Sequence, residues 1–182
     1  MQSLKKIVVI GPESTGKSTL CESLARHYHT EWVPEYAREF LLTNGHEYTY
    51  ETLLTIAKGQ IALEDEICST LNAQHQSLVF IDTDMYVMKV WSEFVFAKCH
   101  QWIIDQIVER NYDLYLLCNT DLPWVKDELR EYPDLETREK LFHIYKDIMI
   151  NQKTPWVEIK GIHETRIQLA IEAVDSLLKK DH

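Results

Sequence analysis

Residues 11–18 of the chain read Gly-Pro-Glu-Ser-Thr-Gly-Lys-Ser. This stretch fits the pattern G-x-x-x-x-G-K-[ST] at every position, and it lies between an apolar run, IVVI, and a segment with helical periodicity. The glycines permit backbone turns that a Cβ atom would block, so that the N–H groups of the loop can point inward at phosphate oxygens. The pattern therefore predicts a phosphate-binding loop, or P-loop, at the start of a parallel α/β sheet.

The polar residues of this loop have predicted tasks in holding Mg-ATP. Lys17 places a positive charge on the β- and γ-phosphates, Ser18 offers a hydroxyl to Mg²⁺, and Thr19 can donate a hydrogen bond to the α-phosphate. The predicted nucleotide-binding residues are Gly11, Glu13, Ser14, Thr15, Gly16, Lys17, Ser18 and Thr19.

Apolar runs alternate with helical segments along the rest of the chain. The predicted strands are Lys5–Ile10, Glu31–Pro34, Leu78–Asp82, Asp113–Cys118 and Trp156–Lys160. The predicted helices are Lys17–Tyr28, Tyr50–Gln74, Met85–Glu109, Leu135–Ile150 and Glu164–Lys179. The runs IVVI, LVFID and LYLLC are continuously apolar, which is typical of strands that are buried on both faces of a parallel sheet.

This alternation predicts a doubly wound α/β fold, and with the P-loop motif it resembles the P-loop NTPases. That resemblance implies a three-layer α/β/α sandwich whose five-stranded parallel sheet has the order 2-3-1-4-5, with a helical lid. The length of 182 residues suits a single P-loop kinase domain over residues 1–182.

Net charge, apolar runs and cysteines indicate which binding partners and which cell compartment to expect for this protein. The net charge of −10 would repel nucleic acid and anionic lipid, so we expect a small-molecule acceptor and neither of those partners. The first apolar run stops at Gly11, and no stretch approaches the roughly 20 apolar residues of a membrane span. The four cysteines form no CxxC pair, which favours reduced thiols over a zinc site. We expect a cytoplasmic protein, and its oligomeric state stays open.

Two acidic residues follow the third apolar run. Asp82 ends that run, where a carboxylate faces the P-loop and can hold magnesium, so the predicted metal ligands are Ser18 and Asp82. Asp84 either contacts substrate or caps the next helix, since aspartate is a favourable N-cap residue.

The segment around Glu35 is the predicted acceptor side, because ligands of α/β sheets gather beyond the carboxyl ends of the strands. Glu35 can accept a proton from an attacking hydroxyl or orient that hydroxyl. Arg38 can bind substrate oxygens, and Tyr36 can stack on a flat ring. The alternatives are a surface Glu/Arg pair and a core tyrosine. Gln60 is either a substrate contact or a hydrogen-bonded core amide.

Residues 121–140, which we name the lid segment, carry many charges of both signs. Such a run is either a pair of solvated surface helices or a mobile lid over a phosphate site. An arginine that closes over the γ-phosphate would stabilise the charge that develops during transfer. We predict Arg130 for this role, with Arg138 as the alternative.

Four segments together carry a resemblance to a known family: GPESTGKSTL, VPEYAREF, FIDTD and DLPWVKDELR. Over roughly residues 4–160 the chain resembles the ribosylnicotinamide kinase domain at the C-terminus of the bifunctional NadR proteins, an AAA_28-like P-loop family. That family phosphorylates the 5′-hydroxyl of nicotinamide riboside from ATP. The resemblance implies ATP at Gly11–Thr19, magnesium at Asp82, acceptor contacts at Glu35 and Arg38, and a lid role for Arg130.

The resemblance also marks two departures. The chain has no room for the other NadR domains, which implies a kinase that stands alone. The family sandwiches the pyridine ring between aromatic side chains near the EYxRE segment, and the chain lacks them at the matching positions. The residues that could replace them are Trp32, Tyr36, Tyr50, Trp91 and Trp124.

The predicted function is ATP-dependent phosphorylation of a small nucleoside-like metabolite, with nicotinamide riboside favoured. Lys17, Glu35 and Arg130 are the predicted catalytic residues, and Glu35, Tyr36, Arg38 and Asp84 the predicted substrate contacts. The alternatives are another nucleoside or sugar kinase and an ATP-binding regulatory module that hydrolyses slowly. A guanine-specific switch is disfavoured, since Asn119-Thr120-Asp121 does not match N-K-x-D.

Overall fold

The sheet has the strand order that the sequence predicts. The structure, a computed structural model, describes residues 4–179. Residues 1–3 and 180–182, the two ends of the predicted domain 1–182, lie outside it. All strand pairs are parallel, in the order β2-β3-β1-β4-β5. The strands are β1 (Lys5–Ile10), β2 (Trp32–Val33), β3 (Leu78–Asp82), β4 (Leu114–Cys118) and β5 (Trp156–Ile159).

Helices cover both faces of this sheet. They are α1 (Lys17–Tyr28), α2 (Tyr36–Asn44), α3 (Tyr50–Ala73), α4 (Met85–Phe96), α5 (Gln101–Glu109), α6 (Leu135–Asn151) and α7 (His163–Lys179). Helices α1 and α7 pack on one face of the sheet, and α3, α4 and α6 pack on the other. The three layers explain why β1, β3 and β4 have no polar face: Ile7–Ile10 of β1 are completely buried. None of the helices between residues 4 and 179 has both the length and the apolar character to cross a membrane.

Two helix predictions need correction. Helix α2 was not predicted, because it is short and buries only Ala37 and Leu41, which leaves too weak an apolar pattern to recognise. The segment Met85–Glu109 is two helices rather than one. Ala97 ends α4 in the left-handed conformation (φ 55°). Glycine and asparagine usually occupy that conformation, so an alanine gives no sequence signal for the end of a helix.

The lid segment is helical only in its second part. Residues 121–134 have no regular secondary structure, and α6 begins at Leu135, where the Asp134 carboxylate accepts a hydrogen bond from the Thr137 N–H. The predicted helical lid is therefore an irregular strap followed by the start of α6.

The fold gathers the predicted site residues at one edge of the sheet. The P-loop follows β1, Glu35 lies two residues after β2, and Asp82 is the last residue of β3. Because all strands are parallel, their carboxyl ends meet at this edge, as expected for ligand sites in open α/β sheets.

Gly59, in the middle of α3, allows α2 to pack closely. A Cβ atom at Gly59 would lie 2.0 Å from the Tyr36 ring, far inside van der Waals contact. The Tyr36 N–H also donates a hydrogen bond to Oε1 of Gln60, at 2.8 Å, so the start of α2 is held against α3 by packing and by a polar contact.

We predict that Gly59→Ala lowers the free energy of unfolding by about 1–3 kcal/mol, since the added methyl group overpacks the contact with Tyr36. In a Tyr36→Ala background the same change should raise stability by up to about 1 kcal/mol, because alanine favours a helix interior over glycine. Urea titration of the four proteins measures both effects. Destabilisation of equal size in both backgrounds would contradict this account of the contact.

Candidate active site

A cavity of about 460 Å³ opens at the carboxyl edge of the sheet. Its walls come from the P-loop, the starts of α1 and α2, one face of α4, and residues 127–132 of the lid segment. Of the predicted site residues, the P-loop residues, Thr19, Glu35, Arg38 and Arg130 all line it. The fold thus brings the predicted nucleotide and acceptor residues into one space.

The P-loop has the backbone that phosphate binding needs. Gly11 has φ 143°, and a Cβ atom there would lie 2.7 Å from the Cys118 carbonyl oxygen of β4. Gly16 is left-handed (φ 78°) and forms the N-cap of α1. The buried Thr15 hydroxyl and the Lys17 ammonium both donate hydrogen bonds to the Pro12 carbonyl, at 2.8 and 3.0 Å. The loop is therefore preformed, with Lys17 held across it.

Ser18 and Asp82 form an oxygen-rich pair at the start of α1. The Ser18 hydroxyl donates a 2.5 Å hydrogen bond to Oδ2 of Asp82, whose side chain is completely buried. The other carboxylate oxygen, Oδ1, has no hydrogen-bond partner among residues 4–179. A buried carboxylate oxygen without a donor, beside a hydroxyl that faces the cavity, is a donor set that suits Mg²⁺. These two residues therefore fit the metal role that the sequence predicts.

The electrostatic setting of Asp82 favours a cation. Burial raises the pKa of Asp82 to about 7, and the Glu35 carboxylate adds to this rise, whereas Lys17 and the Ser18 hydrogen bond oppose it. The carboxylates of Asp82 and Glu35 thus repel each other, and the positive charge of Lys17 partly offsets this repulsion at Asp82.

Asp84 does not have the substrate contact that we predicted for it. It is buried, with 1% of its surface exposed, and is not part of the cavity wall. Its carboxylate caps α4 by accepting hydrogen bonds from the N–H groups of Tyr86 and Val87, and it accepts another from the Tyr115 hydroxyl at 2.8 Å. The capping alternative describes this residue, because its carboxylate is fully engaged inside the protein.

Glu35 lies at the mouth of β2 with its carboxylate available to a ligand. It is half-buried at the N-cap position of α2, but its side chain makes no capping bond. It is near enough to raise the pKa of Asp82. An acid at this place can receive a proton from a hydroxyl that approaches the P-loop.

Arg38 binds the lid segment rather than standing free. Its guanidinium makes a bidentate ion pair with Asp127, with N–O distances of 3.2 and 2.8 Å. This pair lowers the pKa of Asp127 through the hydrogen bonds from Arg38. Arg38 still lines the cavity, so the predicted substrate contact would form beside this pair or by exchange with it.

Tyr36 and Gln60 serve the packing of α2 on α3. The Tyr36 ring lies against Gly59 and outside the wall of the main cavity, so its stacking on a substrate ring stays a prediction. Gln60 is 1% exposed, and its amide donates to the Pro34 carbonyl at 3.2 Å while its oxygen accepts from the Tyr36 N–H. Of the two predicted alternatives for Gln60, the structure therefore supports the hydrogen-bonded core amide.

The two candidate lid arginines differ in their surroundings. Arg130 lines the cavity, and its Nη1 donates to the Val125 carbonyl within the lid segment. Arg138 is 2% exposed, and its Nη2 donates to the carbonyls of Ser14 and Leu122, at 3.2 Å each. Arg130 is thus placed where a phosphoryl group could be reached, and its catalytic role stays a prediction.

The side chains of Glu13 and Ser14 contact the lid segment. The Glu13 carboxylate accepts three hydrogen bonds from residues 124–132, and the Ser14 hydroxyl accepts one from the Val125 N–H. Sequence reasoning assigned both residues to the nucleotide. In the structure the Glu13 carboxylate is occupied by the lid segment, whereas the backbone N–H groups of both residues and the O–H of Ser14 are not used by these contacts.

Four aromatic side chains, which we name the aromatic wall, form part of the lining of the cavity. Trp91 and Tyr48 meet edge to face, with ring centroids 4.8 Å apart, and Phe94 and Tyr132 meet at 5.4 Å. All four line the cavity. Tyr48 was missed by the sequence analysis, since it precedes α3 in a loop where no spacing pattern marks it.

Only Trp91, of the five aromatic residues considered for a ring sandwich, lines the cavity among the described residues. The others are occupied elsewhere: Trp32 packs in the core, Tyr50 stacks on His100, Tyr36 lies on Gly59, and the Trp124 indole N–H donates to Glu13.

Arg166 supports the loops next to the P-loop, a role that sequence reasoning did not identify. It is 4% exposed and donates hydrogen bonds to the carbonyls of Thr15, Asn119 and Gly161, at 3.0, 2.8 and 2.9 Å, and it pairs with Asp121. The backbone at Gly161 is thereby tied to the P-loop.

We predict that Asp82→Asn stabilises the ligand-free protein more at high pH than at low pH. Folded Asp82 keeps its proton up to about pH 7, whereas the unfolded carboxyl loses it near pH ~3.9, so the wild type loses stability as the pH rises between these values. The neutral amide has no such loss. The stability difference should grow by on the order of 1–3 kcal/mol between about pH 5 and about pH 8.

Urea titrations of both proteins at the two pH values measure this difference. Asp84, whose pKa burial also raises to about 7, is present in both proteins, so its effect cancels. A stability difference that does not change with pH would contradict the assignment.

Comparison with known proteins places the chain among NadR-like proteins. It is 25% identical to the trifunctional NAD biosynthesis/regulator protein NadR of Salmonella typhimurium over 180 residues, which cover 96% of this chain and 43% of the relative. The chain therefore spans less than half the length of that relative.

Solved structures show the same architecture. A crystal structure of a NadR protein in complex with NAD and AMP-PNP superposes with a TM-score of 0.72 at 25% identity, over 96% of this chain and 49% of the other. A NadR complex with NR gives 0.76 at 24% identity, over 96% and 50%. A deoxyadenosine kinase from M. mycoides gives 0.61 at 13% identity, over 94% and 99%, which shows a shared fold alone.

The family assignment rests on most of the chain. The AAA_28 family, described as an AAA domain, matches residues 6–166. With the observed strand order, this confirms both the predicted fold class and the resemblance drawn from the four sequence segments. The chain, a P-loop protein, belongs to the AAA_28 family.

Proposed function

We propose that this protein is an ATP-dependent kinase that phosphorylates the 5′-hydroxyl of a small nucleoside-like acceptor, with nicotinamide riboside the favoured substrate. One observation carries the proposal: a single cavity contains the P-loop, the carboxylate of Glu35 and an aromatic wall. A binding module for nucleotide alone would not need an acid and a flat-ring surface beside the phosphates.

The residues divide the work of in-line phosphoryl transfer. Lys17 holds the β- and γ-phosphates at the P-loop. The oxygen of the acceptor hydroxyl forms a bond to the γ-phosphorus while the bond between the γ-phosphorus and the β-phosphate oxygen breaks. Glu35 accepts the proton of that hydroxyl or orients it. Arg130 lies on the lid side of the cavity, where a guanidinium stabilises charge on the transferred group.

Ser18 and Asp82 would hold Mg²⁺, which neutralises charge on the phosphates when bound. The buried Oδ1 oxygen of Asp82, which lacks a hydrogen-bond donor within residues 4–179, supports this assignment. A cation there would also reduce the repulsion between Asp82 and Glu35, which raises the pKa of Asp82.

The aromatic wall supports an acceptor with a flat ring. Trp91 and Tyr48 present apolar ring surface, and the Tyr48 hydroxyl donates to the Glu131 carboxylate at 2.9 Å. Aromatic rings beside a carboxylate suit a cationic ring such as the pyridinium of nicotinamide riboside. The NadR protein at 24% identity was solved in complex with NR, which favours the same substrate here.

The direct test is ADP release from Mg-ATP with and without nicotinamide riboside, beside a panel of ordinary nucleosides. We expect strong stimulation by nicotinamide riboside, because an acceptor whose ring contacts the aromatic wall is the one that places its hydroxyl beside Glu35. Stimulation by another nucleoside instead would support the kinase activity and identify a different acceptor. Slow hydrolysis that no acceptor stimulates would favour a regulatory module and overturn the proposal.

We predict that Glu35→Gln lowers kcat by roughly 10²- to 10⁴-fold, the usual contribution of a general base, with little change in the affinity for ATP. Glu39→Gln is the matched control, since Glu39 is an exposed acid of the same helix that does not line the cavity. Steady-state kinetics and nucleotide titration measure the two effects. Wild-type turnover in the Glu35 variant would remove this residue from the mechanism.

A further inference from the structure

The carboxylate of Glu13 projects from the P-loop into the lid segment. Its Oε1 accepts hydrogen bonds from the Tyr132 N–H at 2.7 Å and from the Trp124 indole N–H at 3.2 Å, and its Oε2 accepts from the Glu131 N–H at 2.9 Å. One acidic side chain therefore satisfies three donors of the lid segment, two of them on consecutive backbone groups.

Neighbouring contacts extend the same junction. The Ser14 hydroxyl accepts from the Val125 N–H at 3.0 Å, and Arg138 bridges the carbonyls of Ser14 and Leu122. Residues 122–132 are thus anchored to the apex of the P-loop at both ends, at Leu122–Val125 and at Glu131–Tyr132.

The strap between these anchors depends on them. Residues 121–134 have no regular secondary structure, so few of their backbone groups are satisfied within the segment. Its other side-chain anchors include the Arg38–Asp127 ion pair, in which Arg38 is 48% exposed, and the exposed Tyr48–Glu131 bond. Solvent-exposed contacts of this kind stabilise little, whereas two of the three bonds to the Glu13 carboxylate, from Tyr132 and Trp124, are partly buried and have a charged acceptor.

Arg130 lies inside this strap, directly before the Glu131 N–H that Glu13 holds. Its own side chain donates to the Val125 carbonyl, which belongs to the other anchor. The position of its guanidinium over the cavity is therefore set by the two anchors and not by a helix of its own.

We infer that Glu13 is a positioning residue: through its three hydrogen bonds it holds the lid segment on the P-loop and so places Arg130 over the phosphates. This inference rests on the proposed kinase activity. It assigns the side chain of Glu13 to the lid, and it explains why an acid is tolerated in a loop that binds phosphate anions: its charge is used by lid donors.

Two substitutions separate charge from shape. Glu13→Ala removes all three hydrogen bonds. Glu13→Gln keeps an oxygen for the donors of Tyr132 and Trp124 but turns an NH₂ group towards the Glu131 N–H, so that one contact becomes donor against donor. The glutamine variant should therefore be intermediate, and it keeps the side-chain volume if the alanine variant folds poorly. Glu22→Ala is the control, an exposed acid on α1 that pairs only with Arg26 among the described residues.

The first experiment needs no substrate. Hydrogen exchange of the Glu131 and Tyr132 amides in the ligand-free protein should quicken by roughly 10- to 100-fold in Glu13→Ala, the range that corresponds to a lost hydrogen bond to a charged group. Exchange in the β1 and β4 strands should not change, nor should any of these amides change in Glu22→Ala. Unchanged protection of the two lid amides would overturn the inference.

The second experiment is a kinetic cycle with Arg130→Ala. If Glu13 acts through Arg130, Glu13→Ala should lower kcat by roughly tenfold or more while KM for ATP changes little, and the double variant should be no slower than Arg130→Ala alone. Losses that multiply in the double variant, or a large rise in KM for ATP, would show that Glu13 acts on the nucleotide itself and overturn the inference. Absence of kinase activity from every protein would sink the proposed function, while the exchange data would still decide whether Glu13 holds the lid.

Discussion

The hydrogen bond from Ser18 to the buried carboxylate of Asp82 is the contact around which this site is organised. It joins the first turn of α1 to the last residue of β3 through a 2.5 Å hydrogen bond, and so it sets the distance between the P-loop and the central sheet. It also places an acidic group where no water reaches, which is costly unless a cation or a proton compensates. The raised pKa of Asp82 and the positive charge of Lys17 both reduce this cost. A bound cation would compensate the remaining negative charge of Asp82 and Glu35.

The cavity is lined by two kinds of binding group. The P-loop supplies backbone N–H groups and Lys17, with the left-handed turn at Gly16. The aromatic wall supplies ring surface, with Trp91 on α4 and Tyr48 before α3. The lid segment contacts both, because Glu13 accepts from the Tyr132 N–H and the Tyr48 hydroxyl donates to Glu131. A ligand that displaces either contact therefore acts on the same strap.

The sequence predicted what local patterns encode and missed what only packing decides. The P-loop, the strand order and the carboxylate at the end of β3 follow from a complete motif and from continuous apolar runs. Helix α2 escaped because two buried residues make no recognisable stripe. The packing of Tyr36, the lid contacts of Glu13 and the bond from Tyr115 to Asp84 could not be predicted either, because the partner residues lie 23 to 119 residues away along the chain. The role of Arg166 could not be predicted for the same reason, because it binds carbonyl groups of three loops that are separate in the sequence.

The two outer strands of the sheet bear on how this protein behaves at high concentration. Strand β2 has only two residues, and β5 has four, one of which is Glu158 with its carboxylate bound to Lys146 at 2.9 Å. A sheet whose borders are this short offers few unpaired backbone groups to a neighbouring molecule. Copies of the chain are consequently protected from joining strand to strand, even though the interior strands are among the most apolar segments of the sequence.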